Sequence, residues 1–133
     1  MNPYHLEIVT PDGLEFCGEV ESLLVKTDDG DVEILRGHAD LLATVATGRV
    51  RIKVDGNDRY ASASGGFLSV SGGDVKLVAI TFEFADEIDV ERAEKAKLRA
   101  EERLASANGN REIGIAKAKL TRALNRISVS EMK

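Results

Sequence analysis

The residues of this chain that are most able to do chemistry are two histidines, one cysteine and two glycine pairs. His5 and His38 are far apart in sequence, and neither has an evident partner for a catalytic triad. Cys17 is the single thiol, so no disulfide can form within the chain, and we interpret it as a small packed side chain. Gly65-Gly66 and Gly72-Gly73 lack the spacing of a phosphate-binding loop. The sequence therefore predicts no catalytic residue.

A short acidic segment is the strongest candidate for binding a metal ion. Asp28, Asp29 and Asp31 resemble the start of a calcium-binding loop. Leu35 and Arg36 then stand where further oxygen ligands would be required, which argues against calcium. With a single thiol and two histidines, no cluster of metal ligands is indicated elsewhere. We expect no metal site.

Charge is divided unevenly along the chain. Residues 1–87 contain seven Lys/Arg and sixteen Asp/Glu, for a net charge of −9, whereas residues 88–133 contain eleven and seven, for +4. This difference indicates two units with different partners, unless both are only solvated faces. An acidic first part in a chain with 5% aromatic residues argues against binding nucleic acid.

The first part of the chain has the period of half-buried β-strands. Residues 49–55 alternate apolar and charged side chains, as a strand with one buried face does. Strands are predicted over residues 6–9, 20–26, 32–35, 49–55, 60–64, 67–70 and 75–80, separated by turn signals such as Thr10-Pro11-Asp12-Gly13. Many short strands with close turns predict an antiparallel sandwich or flattened barrel.

The second part has the period of amphipathic helices. One apolar stripe contains Val90, Ala93, Ala96, Ala100 and Leu104, and a second contains Ile113, Ala116, Leu120, Ala123 and Ile127. Asp89 can cap the first helix, and Asn108-Gly109-Asn110 marks the turn between the two. Alanine allows close approach but buries little area, so this hairpin should be marginal by itself and able to open.

The whole chain is therefore predicted to be of the α+β class. An antiparallel β-sandwich over residues 1–87 is followed by a two-helix antiparallel hairpin over residues 88–133. No apolar run approaches the ~18–20 residues that span a bilayer, and the N-terminus lacks the features of a signal peptide. Architecture alone indicates an interaction module and not its partner.

Several motifs, in order along nearly the whole chain, resemble the epsilon subunits of bacterial-type F-type ATP synthases. They are Ile8–Gly13 with Phe16 and Gly18, Ile34–Leu41, Gly48 with Val50 and Ile52, Gly65–Leu68, and Ile88–Ala93. Each is weak alone, and their shared order and spacing make the resemblance specific. The family often has Pro where Arg36 and Asp40 stand and Gly where Glu33 stands, in a loop that by resemblance faces the membrane rotor ring.

The resemblance implies a non-catalytic rotor subunit in the central stalk of a proton- or sodium-translocating ATP synthase. It implies that the sandwich binds the gamma subunit and the ring of c subunits, peripherally, at the cytoplasmic face of the cell membrane. It also implies that the hairpin can extend toward the catalytic beta subunit and inhibit ATP hydrolysis. The basic second helix, with Arg111, Lys117, Lys119, Arg122 and Arg126, suits an acidic segment of that partner.

Some members of this family also bind ATP in the folded hairpin, and the resemblance carries that site over residue by residue. The matching positions are Glu83, Ile88, Asp89, Arg92, Ala93, Arg99, Arg122 and Arg126. Arg92 and Arg99 are two helical turns apart, and Arg122 and Arg126 are one turn apart, so each pair shares a helix face. Guanidinium groups suit the geometry of a triphosphate.

By the same resemblance, Ile88 and Ala93 would flank the base, and Asp89 would accept a hydrogen bond from its amino group. ATP would then be a regulatory ligand, and no cofactor is required. The alternative is that Asp89 is only a helix cap and that the arginines are solvated or salt-bridged. At the level of function, the alternative is a free-standing nucleotide-sensing or other binding module outside any synthase.

Overall fold

The computed structural model describes residues 2–132. The strands are β1 (Tyr4–Thr10), β2 (Gly13–Val20), β3 (Ser22–Thr27), β4 (Gly30–Ile34), β5 (Leu41–Thr44), β6 (Gly48–Val54), β7 (Asn57–Ser71) and β8 (Asp74–Phe84). A short 3-10 turn, Ala85–Glu87, leads to helices α1 (Val90–Ser106) and α2 (Gly109–Ser130). The predicted fold class, a β-sandwich followed by a helical hairpin, is confirmed. The boundary predicted at residues 87 and 88 falls between the 3-10 turn and α1.

The strands form one hydrogen-bonded sheet that folds over its own core. Its order is β2-β1-β8-β7-β6-β3-β4, with β5 paired to β7. The pairs are antiparallel except that β1 runs parallel to β8, a detail that alternation in the sequence does not indicate. The inner faces supply fully buried aliphatic side chains, among them Leu6, Ile8, Leu23, Ile34, Ile52, Leu68 and Leu77.

Tyr4 joins strands that are near opposite ends of the sheet order. Its hydroxyl donates a 2.6 Å hydrogen bond to the carbonyl oxygen of Ile34, which ties β1 to β4 across the fold. Burial, with the charge of Glu33 adding to it, raises the pKa of the Tyr4 hydroxyl well above its usual range. The hydroxyl therefore stays protonated and remains a donor wherever the chain is folded.

Gly65 and Gly66 let β7 pass from one layer of the sandwich to the other. Before them, Ala61 and Ala63 point into the core, and after them Leu68 does, so the inward-facing positions change from odd to even. Both glycines have positive φ, 74° and 95°, which side chains rarely tolerate. The sequence predicts two strands here, over residues 60–64 and 67–70, on either side of the glycine pair. The structure has one continuous strand instead.

Two strands of the structure, β2 and β5, are not predicted by the alternation of the sequence. β2 lies on the edge of the sheet, and its burial pattern is mostly exposed and half-buried, so it lacks a strong apolar period. β5 is only four residues long and pairs with β7 alone. Short strands and edge strands are stabilised mainly by the strand beside them, so their own sequence carries little signal for them.

The helical hairpin is packed through alanine, as its sequence predicted. The closest contacts are made by four alanines that are each 2% exposed: Ala93, Ala100, Ala116 and Ala123. Ala96, which was also expected in this seam, is half-buried and lies beside it. The larger apolar side chains Leu98, Ile115 and Leu124 are exposed instead. The folded hairpin thus buries its small seam residues most completely and leaves three of its large apolar side chains exposed.

Polar contacts fix α2 on the outer face of β6, β7 and β8. The Asn125 side-chain amide donates to the carbonyl oxygen of Gly48 at 3.0 Å and to the hydroxyl of Ser62 at 2.8 Å. One residue later, Arg126 Nε lies 2.7 Å from Glu83 Oε1. A small apolar cluster of Ala85, Ile88 and Val129, with Tyr60 against it, closes the end of this contact. The hairpin is therefore folded on the sandwich through a narrow, largely polar contact.

Neither helix among the described residues is long and apolar enough to cross a membrane.

Gly66→Ala should destabilise the sandwich by at least about 3 kcal/mol, because strain and steric overlap add at this position. A Cβ on Gly66 would lie 1.8 Å from the carbonyl oxygen of Val78. The free energy of unfolding, measured by urea titration, reports the loss. Gly37→Ala is the matched control, since Gly37 also has positive φ, 84°, but nothing lies within 4 Å of a Cβ there. Equal losses in the two variants would mean that only backbone strain acts at Gly66.

Asn125→Ala should loosen the hairpin from the sandwich. It leaves the carbonyl of Gly48 and the buried hydroxyl of Ser62 without this partner, at a cost of about 1–3 kcal/mol for each buried group. Spin labels at Lys117 and Asp29, in a Cys17→Ser background, should show a longer and broader distance distribution. Thr121→Ala is the control, because its hydroxyl bonds only within its own helix, to Lys117. Identical distributions would show that Asn125 does not hold the hairpin.

Candidate functional site

An open groove of about 280 Å³ runs between α1 and α2. It is lined by Ala96, Arg99, Ala100 and Arg103 from α1 and by Lys119, Arg122, Ala123 and Arg126 from α2. Ala100 and Ala123 belong to the helix seam, and the half-buried Ala96 lies beside it. Every charged side chain that lines it is cationic, so the groove concentrates positive potential between two low-dielectric helix walls.

The groove contains three of the arginines that the family resemblance selected. Arg99 comes from α1, and Arg122 and Arg126 come from α2. Arg92 is exposed two turns before Arg99 on the same face of α1, beyond the lining of the groove. A multiply charged anion in this groove would therefore contact both helices.

Glu83 is held next to the groove by Arg126. The 2.7 Å ion pair between them joins β8 to α2, and both side chains are about one-third exposed, at 35% and 34%. An ion pair with that much solvent contact contributes little to stability, about 0–1 kcal/mol. It does orient the Arg126 guanidinium. In the described residues, Arg99, Arg103, Lys119 and Arg122 have no carboxylate within ion-pair distance.

The remaining predicted positions lie at the start of α1. Asp89 caps this helix, and its Oδ1 accepts a 3.0 Å hydrogen bond from the backbone N–H of Arg92. Ile88 is buried against Ala85 and Val129, and Ala93 is buried in the helix seam. In this conformation Asp89 therefore acts as the cap that its position predicted, with its second carboxylate oxygen left free of that bond.

Two cationic groove residues were not selected from the sequence. Arg103 lies one turn beyond Arg99, and Lys119 lies one turn before Arg122, so helical spacing alone would have placed both on the groove face. Neither residue matches a position of the family's nucleotide site, so the resemblance does not include them. Because Arg103 lines the groove, a substitution there is expected to affect anion binding.

The outer face of the sandwich carries a row of apolar side chains that crosses four strands. The register places Leu14 opposite Val9, Val9 opposite Val78, and Val78 opposite Phe67. Leu14 is 62% exposed and Phe67 is 43% exposed. We call Leu14, Val9, Val78 and Phe67 the outer apolar row. A contiguous row of this kind is typical of a surface that binds another protein.

The loop between β4 and β5 is fixed at its end to the turn between β7 and β8. Asp40 Oδ1 accepts a 3.0 Å hydrogen bond from the backbone N–H of Gly72. Glu33, at the base of the loop, forms an ion pair with Arg51 on β6. Two of the residues that depart from the family pattern, Asp40 and Glu33, thus have structural partners in this chain.

A group of side chains that can bind a metal ion lies on β1 and β2, where the sequence indicated no metal ligands. The side chains of His5, Glu7 and Cys17 converge there, with their ligand-type atoms all within 4.8 Å of one another. Sequence spacing did not reveal them because they come from two strands whose register was not known. The alternation of His5 and Glu7 along one strand was the available signal.

Comparisons with known proteins cover nearly the whole chain. The family described as the beta-sandwich domain of the ATP synthase delta/epsilon chain matches residues 3–85. The family described as the long alpha-helix domain of the same chain matches residues 86–131. The ATP synthase epsilon chain of Ruminococcus albus is 40% identical over 134 residues, covering 100% of both chains. That of Bacillus velezensis is 41% identical over 130 residues, covering 98% of both.

The fold is also that of a solved chain in the Euglena gracilis mitochondrial ATP synthase, seen in a structure of its OSCP, F1 and c-ring parts. The two share 21% identity and a TM-score of 0.81, over 98% of this chain and 82% of that one. Epsilon chains are a non-catalytic subunit of the complex, so the prediction that this chain is not an enzyme by itself is confirmed. With both parts of the chain matched in order, it belongs to the epsilon-chain family of the ATP synthases.

Proposed function

We propose that this chain turns in the central stalk of a proton- or sodium-translocating ATP synthase and regulates it through its hairpin. In the folded hairpin the groove binds ATP. Without ATP the hairpin leaves the sandwich, extends toward the catalytic head and opposes ATP hydrolysis. The observation that carries this proposal is a cationic groove built jointly by two helices that are otherwise held together by alanine.

The energetics of the hairpin favour a conformational switch. Its seam consists of alanines, and apolar burial stabilises by only ~25 cal/mol per Å², so helix separation costs little. Its contact with the sandwich depends on Asn125, Arg126 and a small cluster around Val129. Leu98, Ile115 and Leu124 are exposed in the folded form, so the folded hairpin leaves apolar area that a protein partner of the extended form could cover. The folded state therefore buries the alanine seam, and the extended state can bury the exposed apolar side chains against a partner.

Each partner that the family resemblance implies can be matched to a surface of this chain. The outer apolar row suits the gamma subunit, because such a row is covered best by another protein chain. By the family resemblance, the loop that Asp40 ties to Gly72 would face the ring of c subunits, at the cytoplasmic face of the cell membrane. The basic second helix suits an acidic segment of the catalytic beta subunit, with charge complementarity that guides the encounter.

ATP would bind with its phosphates in the groove. Arg99, Arg122 and Arg126 can each donate two hydrogen bonds to phosphate oxygens, in the fork geometry that lysine lacks. Arg92 reaches the same face from one end of the groove. The base would lie toward Ile88 and Ala93, and the free oxygen of Asp89 would accept from its amino group. Lys119 and Arg103 add charge along the groove without base contacts.

Binding of this kind must favour the folded hairpin. The ligand contacts Arg99 on α1 and Arg122 on α2, so it loses half of its contacts when the helices separate. By linkage, whatever favours the folded form strengthens ATP binding, and ATP binding in turn favours the folded form. Falling ATP would then release the hairpin and restrain hydrolysis when ATP is scarce.

Arg122→Ala should weaken ATP binding about tenfold to hundredfold, the effect of losing one charged hydrogen bond of ~1.5–3 kcal/mol. Arg122 is a better probe than Arg126, because Arg126 also holds the sandwich through Glu83. Calorimetry on the isolated chain measures the affinity. Arg111→Ala is the control, since Arg111 is exposed on α2 and does not line the groove. Equal affinities in the two variants, or no binding by the parent chain, would contradict the nucleotide proposal.

Removal of residues 88–133 should leave a folded sandwich, because the large core cluster lies entirely within residues 4–84. The shortened chain should still bind the gamma subunit and should no longer restrain ATP hydrolysis by the assembled complex. Circular dichroism, co-purification with gamma and the ATPase rate test the three parts separately. Restraint that survives the truncation would assign regulation to the sandwich. A full-length chain that does not co-purify with gamma would support a free-standing binding module instead.

A further inference from the structure

His5, Glu7 and Cys17 share the outer face of the β1–β2 hairpin. Tyr4, Leu6 and Ile8 of β1 point into the core, so His5 and Glu7 between them point outward. The register places Cys17 directly opposite Glu7 and Glu19 directly opposite His5. Alternation along two paired strands therefore gathers a thiol, an imidazole and carboxylates on one exposed patch.

The spacing of these side chains already matches a metal site. Cys17 Sγ lies 3.5 Å from His5 Nε2. In a tetrahedral zinc site, bond lengths of about 2.3 Å to sulfur and 2.0–2.1 Å to nitrogen put these two atoms about 3.6 Å apart. Glu7 Oε1 lies 3.9 Å from the same His5 nitrogen, and all three ligand atoms fall within 4.8 Å of one another. Small rotations of exposed side chains would suffice to bring the oxygen into place.

We propose that His5, Glu7 and Cys17 form a binding site for a zinc ion. A thiolate and an imidazole select zinc over calcium and magnesium, which take oxygen ligands. Three protein ligands, His5, Glu7 and Cys17, leave the fourth tetrahedral position open to a water molecule. When zinc binds, the Cys17 thiol gives its proton to solvent and its sulfur bonds the metal, so no electrons are transferred.

The ion would act as a clamp on the edge of the sheet. β2 is the outermost strand beside β1, and a metal shared by Cys17 of β2 with His5 and Glu7 of β1 would join the two strands through side chains. Any ligand that binds only the folded state raises the free energy of unfolding in proportion to the logarithm of its concentration. Zinc should therefore raise the thermal midpoint of the chain and protect backbone amides of β1 and β2 from exchange.

Zinc affinity can be measured on the untagged full chain under reducing conditions, by competition with a chromophoric chelator. We expect one zinc ion per chain. Cobalt(II) serves as a spectroscopic probe, because thiolate coordination gives a charge-transfer band in the near ultraviolet and tetrahedral geometry gives intense visible bands. Absence of zinc binding, or a cobalt complex that lacks the thiolate band, would overturn the proposal.

Variants assign the ligands. Cys17→Ser and His5→Ala should each weaken zinc binding at least about 100-fold. Loss of a residue that only supports a ligand costs up to about 100-fold, and loss of a direct ligand should cost at least as much. His38→Ala is the control, since it removes the other histidine, which lies in the loop after β4. Retained affinity in Cys17→Ser, or an equal loss in His38→Ala, would show that the metal binds elsewhere and that the Cys17–His5 contact is only a thiol–imidazole hydrogen bond.

Discussion

The close approach of Gly66 to the backbone of Val78 is the contact on which the rest of the structure depends. Only a residue without a side chain fits there, and the positive φ of the glycine pair turns β7 from one layer of the sandwich to the other. Before this crossing, the outer face of β7 presents Ser62 to the hairpin. After it, the outer face presents Phe67 to solvent. A single long strand thereby supports two different surfaces.

The hairpin combines weak packing with strong charge. Its alanine seam brings the helices together at little gain in buried area, while the groove collects cationic side chains that repel one another in the absence of an anion. Such a pair of helices is poised between a folded form that an anion stabilises and an open form that a protein partner stabilises. The hydrogen bonds of Asn125 and the apolar cluster around Val129 hold the folded form on the sandwich, and the part-exposed Arg126–Glu83 ion pair adds little.

The sandwich divides its outer face among chemically distinct regions. The outer apolar row offers area without charge, the loop fixed by Asp40 offers a shaped end, and the His5–Glu7–Cys17 patch offers metal ligands. The apolar row and the metal-ligand patch follow from strand alternation, because outward-facing residues of one strand lie next to outward-facing residues of the strand paired with it. β1 contributes to two of them, with Val9 in the row and His5 and Glu7 in the patch.

The sequence was enough to predict the class of the fold, because periods of two and of about 3.6 residues reflect one buried face in each element. It also determined the alanine seam, the Asp89 cap and the family, since these are local patterns. The packing of the folded chain set the parallel pairing of β1 with β8, the continuity of β7 through its glycines and the short strand β5. It also decided that Arg103 and Lys119 join the groove and that Cys17 meets His5. Those arrangements depend on strand register and helix docking, which arise when distant segments pack together.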